Sequence, residues 1–273
     1  MSPGDAATLT VRACAVLAVA DPADKVRLTH SAAAERHAGD LAALGDARPP
    51  DRPGRPERPE LRPPRDMPAR RKAGSLAGRI ALLHALAHIE LNAVDLAWDM
   101  VARFAGNRED GAPFPDAFFD DWVRVADDEA RHFDLLSQRL GDLGSGYGAL
   151  PAHDGLWQAA RDTAHDVAAR LAVVPMVLEA RGLDVTPAMI ANLRRFGDDE
   201  SADILQTIHD EEIGHVAAGR RWFEWVCARR GLEPVAAWQD LVTRHFKGGL
   251  KPPFNVESRT RAGFPPTFYD PLV

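Results

Sequence analysis

Four glutamates in this chain stand where long amphipathic helices call for apolar side chains. Leu83, Leu86, Glu90, Val94, Ala97 and Val101 recur at steps of three and four residues, which predicts one face of a helix running from about Ser75 to Phe104. The same rhythm carries Phe118, Trp122, Val125, Glu129, His132, Leu136 and Leu140 on a second helix. A third, from about Gly155 to Ala180, shows Ala168, Ala172, Met176, Glu179 and Leu183. A fourth begins near Asp198, presents Leu205, Ile208, Glu212, His215, Gly219, Trp222 and Val226, and stops near Gly231. A carboxylate taken out of water without compensation costs on the order of several kcal/mol, so a chain that repeats this four times must supply positive charge.

Two of the four faces add a histidine three residues on: Glu129 with His132 in "DDEARHF", and Glu212 with His215 in "DEEIGHV". Thirteen glutamates and 10 histidines in 273 residues would give about half of one such pair by chance, so the spacing gains force only from its context. A separation of three places the two side chains on one helix face, within reach of one metal ion or of two neighbouring ions. Two inward histidines cannot neutralise four carboxylates. Two divalent cations can, with the imidazoles binding as neutral ligands. Mixed oxygen and nitrogen donors suit iron or manganese better than structural zinc. The bland alternative is a set of buried ion pairs or exposed faces, and for His84, His88 and His209 a satisfied or exposed histidine is the expectation.

The chemistry sits in the middle of the chain. Residues 1–44 read as an N-terminal helical segment of two short helices, broken and restarted at "DPADK" (21–25). Between Gly45 and Pro68 lie eight of the 21 prolines, which excludes helix interiors and predicts an extended strap over 45–74. From Arg48 to Lys72 nine basic residues face four acids, the charge of a solvated tether or of a clamp on an acidic surface. The helical bundle is expected over 75–231, and residues 232–273 supply a helix from Pro234 to about His245 and an irregular tail packing on it. The loop "GDLGSGYGALPAHD" (141–154) is long enough to cross a helix of about 45 Å end to end. Thr186-Pro187 reads as a cap with proline at the first helical position, and Pro175, four residues before Glu179, either as a kink of the third helix that widens access to the metals or as a proline accommodated in a bent helix.

What the chain lacks narrows the field. Two cysteines without Cys-x-x-Cys spacing exclude a disulfide framework and fit a reducing cytoplasm. The segment "VRACAVLAVA" (11–20) is short and contains Arg12, so an amphipathic helix is expected there, with no membrane-spanning stretch in the chain. A net charge of −7 argues against a general nucleic-acid binder. There is no dinucleotide, Walker or nucleophile-elbow motif.

One Glu from each of two helices and a Glu-x-x-His from each of two others is the ligand pattern of ferritin-like di-iron and di-manganese carboxylate proteins. The stretches "GRIALLHALAHIELNAVDLAWDM", "DDEARHF", "EARGLDVTP", "DEEIGHV" and "KPPFNVESRTRAGF" resemble the bacterial ferritin-like proteins catalogued as a domain of unknown function, over about residues 20 to 273. That resemblance implies an all-α fold, a ferritin-like four-helix bundle with extra N-terminal helices, and a di-metal site at Glu90, Glu129, His132, Glu179, Glu212 and His215. The family is in turn distantly similar to a di-iron tRNA hydroxylase in its metal ligands and fold. Asp128 and Glu211, each preceding a Glu-x-x-His, are expected to orient His215 and His132 across the bundle; Glu211 departs from the aspartate of the family pattern.

The function expected is an oxygen-activating oxidoreductase or hydroxylase with two iron ions, or manganese or a mixed iron–manganese pair. It would use dioxygen, an electron donor and a small-molecule or modified-nucleoside substrate, as a monomer or dimer. The alternatives are iron handling or peroxide detoxification without an organic substrate, and a metal-stabilised interaction module.

Overall fold

The computed structural model describes residues 8–63, 66–67 and 74–273, and the described chain is mostly helical, with one two-stranded sheet at Arg108–Glu109 and Ala112–Pro113. It forms two compact units. The first takes Met1–Arg70, Ile80–Arg108 and Ala112–Trp157, and the second Arg71–Arg79, Glu109–Gly111 and Gln158–Val273.

In the first unit α1 (Leu9–Ala18) and α2 (Pro22–Ala38) begin as the sequence predicts. Asp21 accepts a hydrogen bond from the Asp24 N–H, Pro22 opens the first turn, and Gly39 ends α2 in the left-handed region. A two-pronged Arg12–Glu35 pair ties the two helices together. Helix α3 (Leu76–Arg103) and helix α4 (Asp116–Asp142) bury the faces read from the sequence; of α4's seven named positions every one is buried. On α3, Leu86 is the one half-buried position of its face.

By length and composition α3 is apolar enough to cross a membrane, contrary to the sequence-based expectation. Two thirds of that stretch is nevertheless buried within the protein, and Asn92, Asp95 and Asp99 are buried along with it. Its apolar residues serve a core.

The strap is a clamp on the first unit's own acids. Lys25 of α2 and Asp95 of α3, both almost fully buried, form an ion pair. Arg55 from the strap lies 3.4 Å from the same carboxylate and donates to Asn92 Oδ1 at 2.5 Å. The Lys25 ammonium also bonds the Gly54 carbonyl, and Arg52 pairs with Asp154. Backbone bonds Arg62 N to Ala152 O (2.8 Å) and Ala152 N to Glu60 O (3.0 Å) join the strap to the long loop after α4. Gly54 must be glycine: a Cβ there would stand 2.4 Å from the Ala18 carbonyl oxygen. Residues 64–65 and 68–73 of the strap, with part of its basic run, lie outside the described residues, as do residues 1–7.

In the second unit the expected third helix is not continuous. Helix α5 (Gly155–Asp162) stops, and α6 (Val167–Val173) restarts with Asp166 as its cap, whose carboxylate takes the Ala168 N–H and the Arg230 guanidinium. Buried Arg170 bridges the break by donating to Thr163 Oγ1 and to the Ala160 carbonyl. A wide π turn follows at Val174–Glu179, where Pro175 removes a donor, and α7 (Ala180–Arg195) continues from it. Trp238 of α9 donates to the Ala172 carbonyl beside this irregularity.

Pro187 does not start a helix: α7 runs straight through it. Proline deprives the carbonyl four residues back of its donor, and here Asn255 Nδ2 fills that role for Leu183 at 3.2 Å. The cap comes from the far end of the chain, which local spacing cannot reveal.

Helix α8 (Asp199–Arg230) has the predicted limits, with Asp198 capping it and Gly231 in the left-handed region after it. Helix α9 is Pro234–His245. The tail, expected to be irregular, folds as α10 (Val256–Arg261) and α11 (Pro266–Tyr269). Its anchor is Arg259, buried and forked onto Asp184 of α7 at 2.8 and 2.7 Å, with its guanidinium against the rings of Phe254, Phe264 and Tyr269. The cap at Asn255 and this aromatic cluster order a segment too proline-rich to look regular.

Gly219 of α8 faces Pro175, and a Cβ there would meet the proline ring at 2.4 Å. Gly219→Ala is therefore expected to destabilise the protein by about 1–3 kcal/mol. Gly182→Ala, in open space on α7, is expected to stabilise it by about 0.5–1 kcal/mol. Chemical denaturation of the two variants checks both signs.

Candidate metal centre

Helix α4 carries Glu129 and His132 on the stripe of Phe118, Trp122, Leu136 and Leu140, so the fold that buries those apolar side chains buries the pair as well. Both are 0% exposed. Glu90 arrives from α3 with 4% exposure. His132 Nδ1 lies 3.2 Å from Glu90 Oε2 and 3.4 Å from Glu129 Oε2. Each of the three offers one ligand atom, and these atoms lie within 4.8 Å of one another. A buried glutamate–histidine cluster that can hold a metal ion is thus present in the first unit.

Its electrostatics are those of a cation site with a proton in it. Burial, and then the charge of Glu129, hold the Glu90 carboxyl well above its usual range. Burial pulls His132 down, but hydrogen bonds to Glu129 and Glu90 and the charge of both carboxylates overcome it and hold it up to about 11. One imidazolium thus faces two carboxylates in a dry interior. The donor set fits a divalent ion: two carboxylates and an imidazole, with the Nδ1 nitrogen aimed at the acids, the atom a metal would take when it replaces the proton.

The second unit repeats half of the theme. On α8, Glu212 Oε2 is 3.7 Å from His215 Nδ1; the histidine side chain is 2% and the glutamate 12% exposed. The distance is too long for a hydrogen bond and right for two donors on one face. Glu179 ends the π turn and is half-buried. Asp128 is half-buried and accepts a bond from Arg131 at 2.9 Å, a partner three residues along its own helix. Glu211 is half-buried on α8.

Of the three further histidines singled out in the sequence, His84 and His88 are held by hydrogen bonds, and His209 has a hydrogen-bond partner at Nε2 alone among the described residues. His84 Nε2 accepts from the Gly148 N–H at 2.9 Å, and burial lowers its pKa. His88 donates from Nε2 to the His153 carbonyl and accepts at Nδ1 from the Tyr147 hydroxyl at 2.8 Å. Burial, followed by the nearby Arg55 charge, pulls His88 to about 4, so it is neutral at pH 7. His209 Nε2 lies 3.3 Å from Ser258 Oγ. Sequence reasoning did not foresee Tyr147, whose glycine-rich setting hides it, or the π turn, whose one sequence signal is Pro175.

A family described as "Protein of unknown function (DUF455)" matches residues 18–270. An uncharacterized protein of Haemophilus influenzae is 41% identical over 213 residues, covering 77% of this chain and 72% of that protein. No solved structure matches the chain.

Because His132 holds a proton that a metal must displace, metal uptake is coupled to pH. Adding ferrous iron anaerobically to the metal-free protein in weak buffer at pH 7 is expected to release protons. The apparent affinity is expected to rise between pH 6 and pH 8, since the proton that iron displaces from His132 is released into a solution of ever lower proton activity. A pH indicator and an equilibrium titration measure the two effects; iron uptake without proton release contradicts the protonated cluster.

Proposed function

This chain belongs to the family of unknown function DUF455, whose name assigns no reaction, and from the site itself we propose that it is a di-iron carboxylate protein of ferritin-like architecture. In this reading the helices of the bundle are α3, α4, α6–α7 and α8. Glu90, Glu129 and His132 supply one half of the ligand set, and Glu179, Glu212 and His215 the other. The observation that carries the reading is the Glu90–Glu129–His132 cluster: two carboxylates and one imidazole, buried together on two long helices.

Supporting it is the repeat. Both Glu-x-x-His pairs turn Nδ1 toward their glutamate, at 3.4 Å on α4 and 3.7 Å on α8, as two similar halves of one centre require. Each half adds a lone glutamate from a preceding helix, Glu90 or Glu179. The chain's own groups then have distinct tasks. The four carboxylates and two imidazoles bind the cations, Asp128 and Glu211 orient His215 and His132, and Trp122, Leu136 and Leu140 keep water out. Glu179, at the end of a π turn rather than within a regular helix, has backbone latitude to change its position. A bound iron pair would supply the electrons with which dioxygen is reduced, making the protein an oxidoreductase or hydroxylase fed by a separate reductase in the reducing cytoplasm.

Metal analysis of anaerobically prepared protein is expected to find two irons per chain. Mixing the ferrous protein with oxygenated buffer should consume oxygen within seconds. Glu129→Ala and Glu212→Ala should each lower bound iron to one or fewer per chain. Full iron content in both variants ends the assignment. Redox-silent binding of zinc at the same residues would leave a structural metal module instead of an oxidoreductase.

A further inference from the structure

A second feature lies wholly within the second unit. The loop between α9 and α10 folds back over the π turn and encloses a cavity of about 200 Å³ that opens to solvent. Val177 and Leu178 of the π turn form one wall, and Phe246, Leu250 and Phe254 of the loop form the others. The loop is held in this shape. Gly249 sits at φ +62, where a side chain is strained, and a Cβ on Gly248 would press within 2.9 Å of the Phe246 ring. Arg181 of α7 donates to the carbonyls of Lys251 at 2.7 Å and Pro253 at 3.2 Å, pinning the loop to the helix. A hollow braced in this way is a pre-formed pocket rather than a packing gap.

The charge at its rim is unbalanced. Three cations, Arg181, Lys251 and Arg259, share one carboxylate, Asp184. Arg259 uses Nε and Nη2 on Asp184 and the Ala180 carbonyl, so Nη1 remains over. Lys251 is exposed and has no side-chain ion pair among the described residues. Apolar walls with surplus positive charge at the edge select a molecule with an apolar body and an anionic head. The volume limits that body to a chain or ring of about six carbons, given about 30 Å³ per water-sized unit.

We infer that this cavity binds a small carboxylate with a short aliphatic or aromatic body, held by Lys251 and Arg259 and lying against the π turn. The inference goes beyond the proposed function: the π turn that supplies Val177 and Leu178 also carries Glu179, which does not itself line the cavity. Binding itself needs only the cavity. The Phe246–Phe254 loop forms one side of the cavity, and Arg181 is a positioning residue that fixes that loop.

Isothermal titration of the full-length protein with sodium hexanoate, in the metal-free and the iron-loaded states, tests the assignment. Hexanoate is expected to bind one per chain in both states, with hexanamide at least tenfold weaker and acetate and inorganic phosphate giving no saturable binding. Leu250→Trp, which fills the cavity, should abolish hexanoate binding while leaving the thermal transition in place. Lys251→Gln, an exposed substitution, should weaken it about tenfold. Equal binding of hexanoate and hexanamide overturns the charge argument, and unchanged binding by Leu250→Trp, or acetate as tight as hexanoate, overturns the cavity. Hexanoate binding to protein that takes up no iron keeps the pocket and ends the di-iron reading; normal iron loading and oxygen uptake without hexanoate binding does the reverse.

Discussion

Two carboxylates placed side by side in a dry interior set the terms for everything around them. Glu90 and Glu129 cannot both ionise there without a cation between them, and His132, 3.2 Å from one and 3.4 Å from the other, can become one. That arrangement is poor as a stabilising device, because well-packed apolar residues of the same volume would do at least as well. A chain that places it on two long helices, and repeats the Glu-x-x-His spacing on α8, carries a buried cluster that can hold a metal ion. The carboxylates therefore explain the helices' composition, and the apolar stripes around them explain why the acids stay dry.

The same problem is solved quite differently a turn or two away. Lys25, Asp95 and Arg55 form a buried polar cluster, but here two cations flank a single carboxylate, and Asn92 and the Gly54 carbonyl accept further bonds from them. His84 and His88 are likewise occupied by the backbone and by Tyr147. A strap that looks like a solvated tether in composition is a structural element where Arg55 reaches Asn92 and Asp95, both already buried beneath it. The contrast between a neutralised cluster and one short of positive charge is what separates structural from candidate functional polar groups in this protein.

Much of this was legible in the residues. Caps are local, so Asp21-Pro22, Asp198, Gly231 and Glu233-Pro234 marked helix ends where the structure has them. The apolar periodicity of α4 placed all seven face residues, because burial follows helical phase when one helix packs against a continuous core. What failed was non-local. Pro187 lies mid-helix since Asn255, nearly 70 residues on, supplies the missing donor to Leu183. The tail is helical because Arg259 finds Asp184 and three rings, and α3 looked too short of apolar residues for a membrane while its composition in fact allows one. In the candidate site, spacing alone brought Glu129 to His132. Glu90 beside them needed the register of two helices, which the repeat suggested and tertiary packing supplied.

The π turn at Val174–Glu179 links these levels. Pro175 breaks the regular ladder, and the wider turn it leaves needs room, which α8 provides by having no side chain at Gly219. An ordinary helix here would place Glu179 about 100° further round for each residue shifted, so the extra residue in the turn resets which way everything after it faces. The insertion thus reconciles two demands that one regular helix cannot meet: the apolar face of α6 toward α8 and α9, and the face of α7 that carries Asp184 toward Arg259. Glu179 sits at the joint between them, where backbone irregularity is tolerated because both flanking helices are independently anchored.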